Sequence, residues 1–189
     1  MGLMSISRII ALHAGATAPG GRRTGRPKLI VSGNPGEADP DGPGLQMLTN
    51  RAQLVPGPLY HNGPFSASML GLFYGNHIVV MPRFDAARTL ALLAKHRVDW
   101  VLLVPTMMLR IWRLPPEERA RHDLSALRIM LHLAAPCPAW LKQAFIDWLG
   151  PTRVHELYGG TEGQGATWIT REECSAIAAP SASRCPATT

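Results

Sequence analysis

The sequence predicts an α/β chain: a mostly parallel sheet flanked by helices, with a loop-rich N-terminal third. Three observations carry this expectation. From Asn76 onward, short apolar runs alternate with stretches of helical period, the signature of βαβ units. Gly20 to Pro58 is dense in Gly, Pro, Asn and Asp, which favours turns over regular elements. At 189 residues, with 46% hydrophobic and 17% charged content, the chain can bury a core of about one domain.

Taken in order, Met1 to Ala18 reads as poorly structured, and Gly20 to Pro58 as mostly loop, including Gly33-Asn34-Pro35-Gly36 and Asp39-Pro40-Asp41-Gly42-Pro43-Gly44. Asn76 to Met81 reads as a short buried strand. Asp85 can cap a helix through His96 that sets Leu90, Leu93 and Ala94 on one face. Trp100 to Val104 reads as the next strand, and Pro105-Thr106 opens a helix through about Trp112. Arg128 to Leu133 reads as a strand, Pro138 to Leu149 as a helix stopped by Gly150-Pro151, and Arg153 to Tyr158 as the last strand. Functional loops are expected to follow the strands. From Cys174 to Thr189 the residues are small, interrupted by Pro and without period, so this tail is expected to be disordered.

Composition narrows the function. The net charge is +6, but basic residues are dispersed apart from Arg22-Arg23-Thr24-Gly25-Arg26-Pro27-Lys28, which is either a solvated loop or a binding patch. Without a clustered basic face or aromatic-basic interleaving, nucleic acid is not an expected partner. Three cysteines, Cys137, Cys174 and Cys185, give neither a disulfide framework nor metal-ligand spacing, and fit a reducing cytoplasm. The apolar run Ile9 to Leu12 is too short for a signal-peptide core or a bilayer span, and no transmembrane segment is expected elsewhere.

Four segments combine residue types suited to binding phosphates and a base. In Thr24-Gly25-Arg26-Pro27-Lys28, glycine permits close backbone approach, a hydroxyl donates and lysine neutralises charge; the same text also describes a turn with basic neighbours. Pro58-Leu59-Tyr60-His61-Asn62-Gly63-Pro64-Phe65 places His61 among aromatics in a loop, for a site or for a local hydrogen bond. Leu133-Ala134-Ala135-Pro136 offers small residues at a strand end, for packing or for a ligand. Leu157-Tyr158-Gly159-Gly160-Thr161-Glu162-Gly163 follows a strand with an aromatic ring able to stack on a base, glycines, a hydroxyl for phosphate and a carboxylate for Mg²⁺. Met107 and Met108 read as core rather than as the wall of a substrate pocket, and His132 and His155 as structural histidines with satisfied hydrogen bonds. Glu156 is expected to point away from the adjacent motif.

The order of these segments, over about Gly20 to Glu173, resembles the adenylate-forming (AMP-binding) superfamily, acyl-CoA synthetase or acid–CoA ligase branch, and most of all its fatty-acid and bile-acid CoA ligases. The resemblance implies a partial adenylation domain over residues 19–173, with ATP, Mg²⁺ and CoA as co-substrates or cofactors and a small-molecule carboxylic acid as the activated partner. It implies catalytic roles for His61, Thr161 and Glu162. Thr24, Gly25 and Lys28 would hold the outer phosphates, and Ala134, Ala135, Pro136, Tyr158, Gly159 and Gly160 the nucleotide, with Glu162 as metal ligand. The family's ribose-binding Asp, hinge and C-terminal lysine have no counterpart after Glu173, so full activity of this chain alone is not expected; a non-catalytic remnant with weak nucleotide binding is the alternative. Codons can be chosen for Cys174 to Thr189 that, read two bases later, encode text resembling the family's continuation, so the tail is expected to be a frameshift product.

Overall fold

The computed structural model describes residues 4–6, 10–12, 29–31, 36–38, 44–160 and 166–169. Four three-residue strands come first: β1 (Met4–Ile6), β2 (Ile10–Leu12), β3 (Leu29–Val31) and β4 (Gly36–Ala38), pairing antiparallel as β1 with β4 and β2 with β3. The main body follows as β5 (Ala52–Val55), α1 (Asn62–Phe73), β6 (His77–Val80), α2 (Ala86–Lys95), β7 (Trp100–Leu103), α3 (Pro105–Trp112), α4 (Pro116–Ala120), β8 (Ile129–His132), α5 (Ala139–Leu149), β9 (Val154–Gly159) and β10 (Ala166–Ile169).

These last six strands form one sheet in the order β10-β9-β8-β7-β5-β6, parallel except for β10, which runs antiparallel beside β9. The predicted α/β architecture is thus the observed one. Strand alternation splits the apolar residues between two faces. Leu54, Val101, Leu103, Met130 and Val154 meet Leu90 and Leu93 of α2, Met108 and Ile111 of α3, and Phe145 of α5. Trp100, Leu102, Ile129 and Leu131 turn the other way, against Ala67 of α1 and Met47. Each such burial contributes about 1.5–3 kcal/mol. Polar contacts add a pin at the start of β7: Trp100 Nε1 donates to the Leu45 carbonyl at 3.0 Å, and Arg128 reaches both the Gln46 carbonyl and the Asp99 carboxylate.

Several local readings match the sequence. The Asp85 carboxylate accepts from the Arg88 N–H at 2.7 Å and caps α2, and Gly150 ends α5 at φ 97°, where a side chain would be strained. Three differ. The stretch read as loop contains β3, β4 and β5, the last an interior strand of the main sheet whose apolar run is broken in sequence by the wholly buried Gln53. The His61 segment, read as a loop, runs directly into α1. Strand β6, read as buried, is the sheet edge, and Val80 is 49% exposed.

The chain direction reverses at β5. Helix α1 carries the chain outward to β6 over one face, and α2 carries it back across the other face to β7. Such a switch point opens a crevice at the carboxyl ends of β5 and β7, where open α/β sheets take their ligands.

Candidate functional site at the carboxyl edge of the sheet

The loop after β5 ends at His61, the residue preceding α1, with φ −90° and ψ 142°. Its N–H donates to the Pro58 carbonyl and its own carbonyl accepts from Phe65, both at 3.1 Å, so the imidazole is set by backbone geometry and leans on Tyr60 at 4.8 Å between ring centroids. Among the described residues the His61 side chain makes no capping hydrogen bond to α1. The first turn of α1 lies across the ends of β7 and β8: a methyl placed on Gly63 would touch Leu102 and Leu133 at 3.6 Å. Beneath it, Gly57, Pro64 and Leu102 bound a void of about 10 Å³, room for roughly one water.

The register sets the other loops beside this one. His132 pairs with Glu156 across β8 and β9, so the chain leaves β8 at Leu133 next to Leu157 and the start of the Tyr158-Gly159-Gly160 turn. Leu133 and Leu157 both pack on the α1 side of the sheet. Ala134, Ala135 and Pro136 are exposed, and Ala134 adopts φ 76°, a left-handed conformation that costs a non-glycine residue about 1 kcal/mol. Tyr158 is 60% exposed at the end of β9, its ring free to receive a flat ligand.

The structure therefore brings together His61, Ala134, Ala135, Pro136, Tyr158, Gly159 and Gly160 along one edge. Thr24, Gly25, Lys28, Thr161 and Glu162 lie outside the described residues, as does the 174–189 tail. Among the described residues no group of three His, Cys, Asp or Glu could hold a metal ion, and no helix is long and apolar enough to cross a membrane. A cleft of about 590 Å³ lined by Arg51, His77, His96 and Arg97 sits at the opposite, amino end of the strands, away from these loops.

Behind the edge, on the α5 face, lies a buried polar group. Lys142 Nζ meets Glu156 Oε2 at 2.6 Å, and His132 Nε2 stands 4.0 Å from the same oxygen. Glu156 thus faces α5, on the side of β9 opposite Leu157 and of the same parity as Tyr158. His132 is not the satisfied histidine expected, since neither ring nitrogen has a hydrogen-bond partner among the described residues. Burial holds its pKa down to about 4, against the Glu156 charge, which would raise it, and with Lys142 adding to the lowering. Burial also pushes the Cys137 thiol up to about 11. His155 fits its structural reading: one ring nitrogen lies 3.0 Å from the Thr152 carbonyl, and the other accepts from Trp168 Nε1 at 3.2 Å. Met108 is core, and Met107 is half-buried against it.

A family model described as AMP-binding enzyme matches residues 24–186, most of the chain and all of these loops. The chain belongs to this AMP-binding family. Among curated relatives it is similar to 4-coumarate–CoA ligase 2 of Oryza sativa subsp. japonica, 32% identical over 136 residues, covering 71% of this chain and 24% of that protein. It is also similar to 4-coumarate–CoA ligase CCL1 of Humulus lupulus, 29% identical over 147 residues, covering 74% and 26% respectively. The AMP-binding chain thus spans about a quarter of the length of these relatives. Its fold matches the inhibitor-bound N-terminal domain of FACL13 from Mycobacterium tuberculosis, with a TM-score of 0.66 and 20% identity, over 89% of this chain and 40% of that one.

Proposed function

We propose that this chain forms part of an acid–CoA ligase that activates a carboxylic acid as its acyl-adenylate at the expense of ATP and then forms a thioester with CoA. The observation that carries the reading is the convergence of three motif loops, after β5, β8 and β9, on one sheet edge within the span matched by the family model. The described residues fit a nucleotide: an exposed ring at Tyr158, exposed glycines after it, and a small-residue loop whose left-handed Ala134 keeps side-chain bulk away. Tyr158 stacks on adenine, Ala134 to Pro136 border it, and His61 borders the acid. Thr24, Gly25 and Lys28 hold the outer phosphates, and Thr161 meets the α-phosphate. Glu162 would ligate Mg²⁺, which neutralises phosphate charge when bound. The work of these residues is positioning and charge neutralisation of groups that already react with one another.

The relatives' names point to an aryl-propenoic acid, whereas the motif text pointed to fatty or bile acids; we favour a hydrophobic carboxylic acid, handled in the cytoplasm. The chain spans about a quarter of these relatives, and nucleotide binding is the part of the reaction that its described loops support. Calorimetric titration with ATP and Mg²⁺ tests this: saturable heat is expected, and no heat at millimolar nucleotide would leave only the non-catalytic remnant.

A further inference from the structure

The Lys142–Glu156 pair ties α5, which follows one loop of the proposed nucleotide site, to β9, which leads into the other; neither residue belongs to a loop motif. Lys142 sits in the first turn of α5, immediately after the 133–138 loop, and Glu156 lies two residues before Tyr158. The contact spans 2.6 Å, and both side chains are mostly buried, at 12% and 18% exposure. Local preference opposes this arrangement, because a cation in the first turn meets the positive end of the helix dipole. Stability alone is a poor explanation, since desolvation of a buried pair largely cancels its Coulomb attraction and apolar replacements are often neutral. What the pair does supply is a fixed geometry between α5 and β9. Two other polar groups face the pair: His132 Nε2 stands 4.0 Å from Glu156 Oε2 without a hydrogen bond, and the Cys137 thiol, which feels both charges, has its sulfur 3.8 Å from the Pro138 carbonyl.

We propose that Glu156 is a positioning residue, which through Lys142 clamps the 133–138 loop to the end of β9 and so sets the separation between Ala134–Pro136 and Tyr158–Gly160. Its consequence for ligands rests on the nucleotide reading given above; the clamp itself does not. Glu156→Gln and Lys142→Met each remove one charge, and the reciprocal Lys142→Glu/Glu156→Lys exchange restores the pair.

Hydrogen exchange on the whole chain without ligand tests the clamp. Each single variant is expected to raise exchange about tenfold in the amides between residues 133 and 139 and between 157 and 160, while strands β7 and β8 keep their protection, and the exchanged pair is expected to restore both segments. AMP titration tests the consequence: about tenfold weaker binding in the single variants at equal folded fraction, recovered in the exchanged pair. Unchanged exchange in both loops, or exchange rising equally in β7 and β8, would overturn the clamp. Failure of the wild-type chain to bind AMP would remove the nucleotide reading, while the exchange data would still decide the clamp. Binding that weakens only in proportion to lost stability would reduce Glu156 to a structural residue.

Discussion

Tyr158 ends β9 with its ring 60% exposed, so truncating it should cost binding and spare the fold. Tyr158→Ala is expected to weaken AMP binding by about tenfold, the scale of one base–aromatic stack, with an unchanged melting temperature; equal affinity in a fluorescence titration would remove its stacking role. His132 carries a second residue-scale expectation. Its folded pKa of about 4 lies below the ordinary 6.5, so between those values the unfolded chain binds a proton that the folded chain excludes. Stability is therefore complete above about pH 6.5 and falls toward pH 4, by at most roughly 3 kcal/mol. Glu156 and Lys142 act on the same imidazole and stay in place in His132→Leu, which should lose most of this slope. Urea denaturation across that pH range compares the two, and identical slopes would show that His132 does not set it. The sequence made Tyr158 legible because an aromatic followed by two glycines after a strand has few packing explanations. It hid the unpartnered state of His132, since whether a buried imidazole finds an acceptor depends on residues brought in from β9 and α5.

At the scale of elements, what sequence period reveals depends on how many faces are buried. Helices α2, α3 and α5 were legible because each pairs one apolar stripe with a recognisable start or stop: Asp85, Pro105 and Gly150. Helix α1 was not, because Asn62-Gly63-Pro64 reads as a turn and the remaining Phe, Ser, Ala, Met and Leu residues show no clear polar face. Strand β5 was hidden by Gln53, which is wholly buried with neither amide atom hydrogen-bonded among the described residues. The two meet at Gly71, where an added methyl would overlap Gln53 Oε1 and press Ile78. Gly71→Ala should therefore destabilise the chain by about 1–3 kcal/mol despite its helical position, where alanine is ordinarily favoured. Gln53→Ala should recover part of this in the double variant. Chemical denaturation measures both, and a neutral or stabilising Gly71→Ala would mean that α1 does not seat on β5 this closely.

Across the whole molecule, the site is a product of topology. The reversal at β5 and the register of β8 with β9 bring loops nearly a hundred residues apart in sequence, at His61 and Tyr158, to the same edge. Sequence order alone indicated which loops matter; the strand order indicates why they meet. The same sheet places the cleft containing Arg51 and Arg97 at its opposite end, so the two ends make separable claims about where an anionic nucleotide goes. The most direct measurement is a hydrogen-exchange footprint of the chain with and without saturating AMP. Protection confined to residues 133–136 and 157–160, with the first turn of α1, is expected; protection at Asn50–Arg51 and His96–Arg97, or none at any loop, would contradict a nucleotide site at the carboxyl edge.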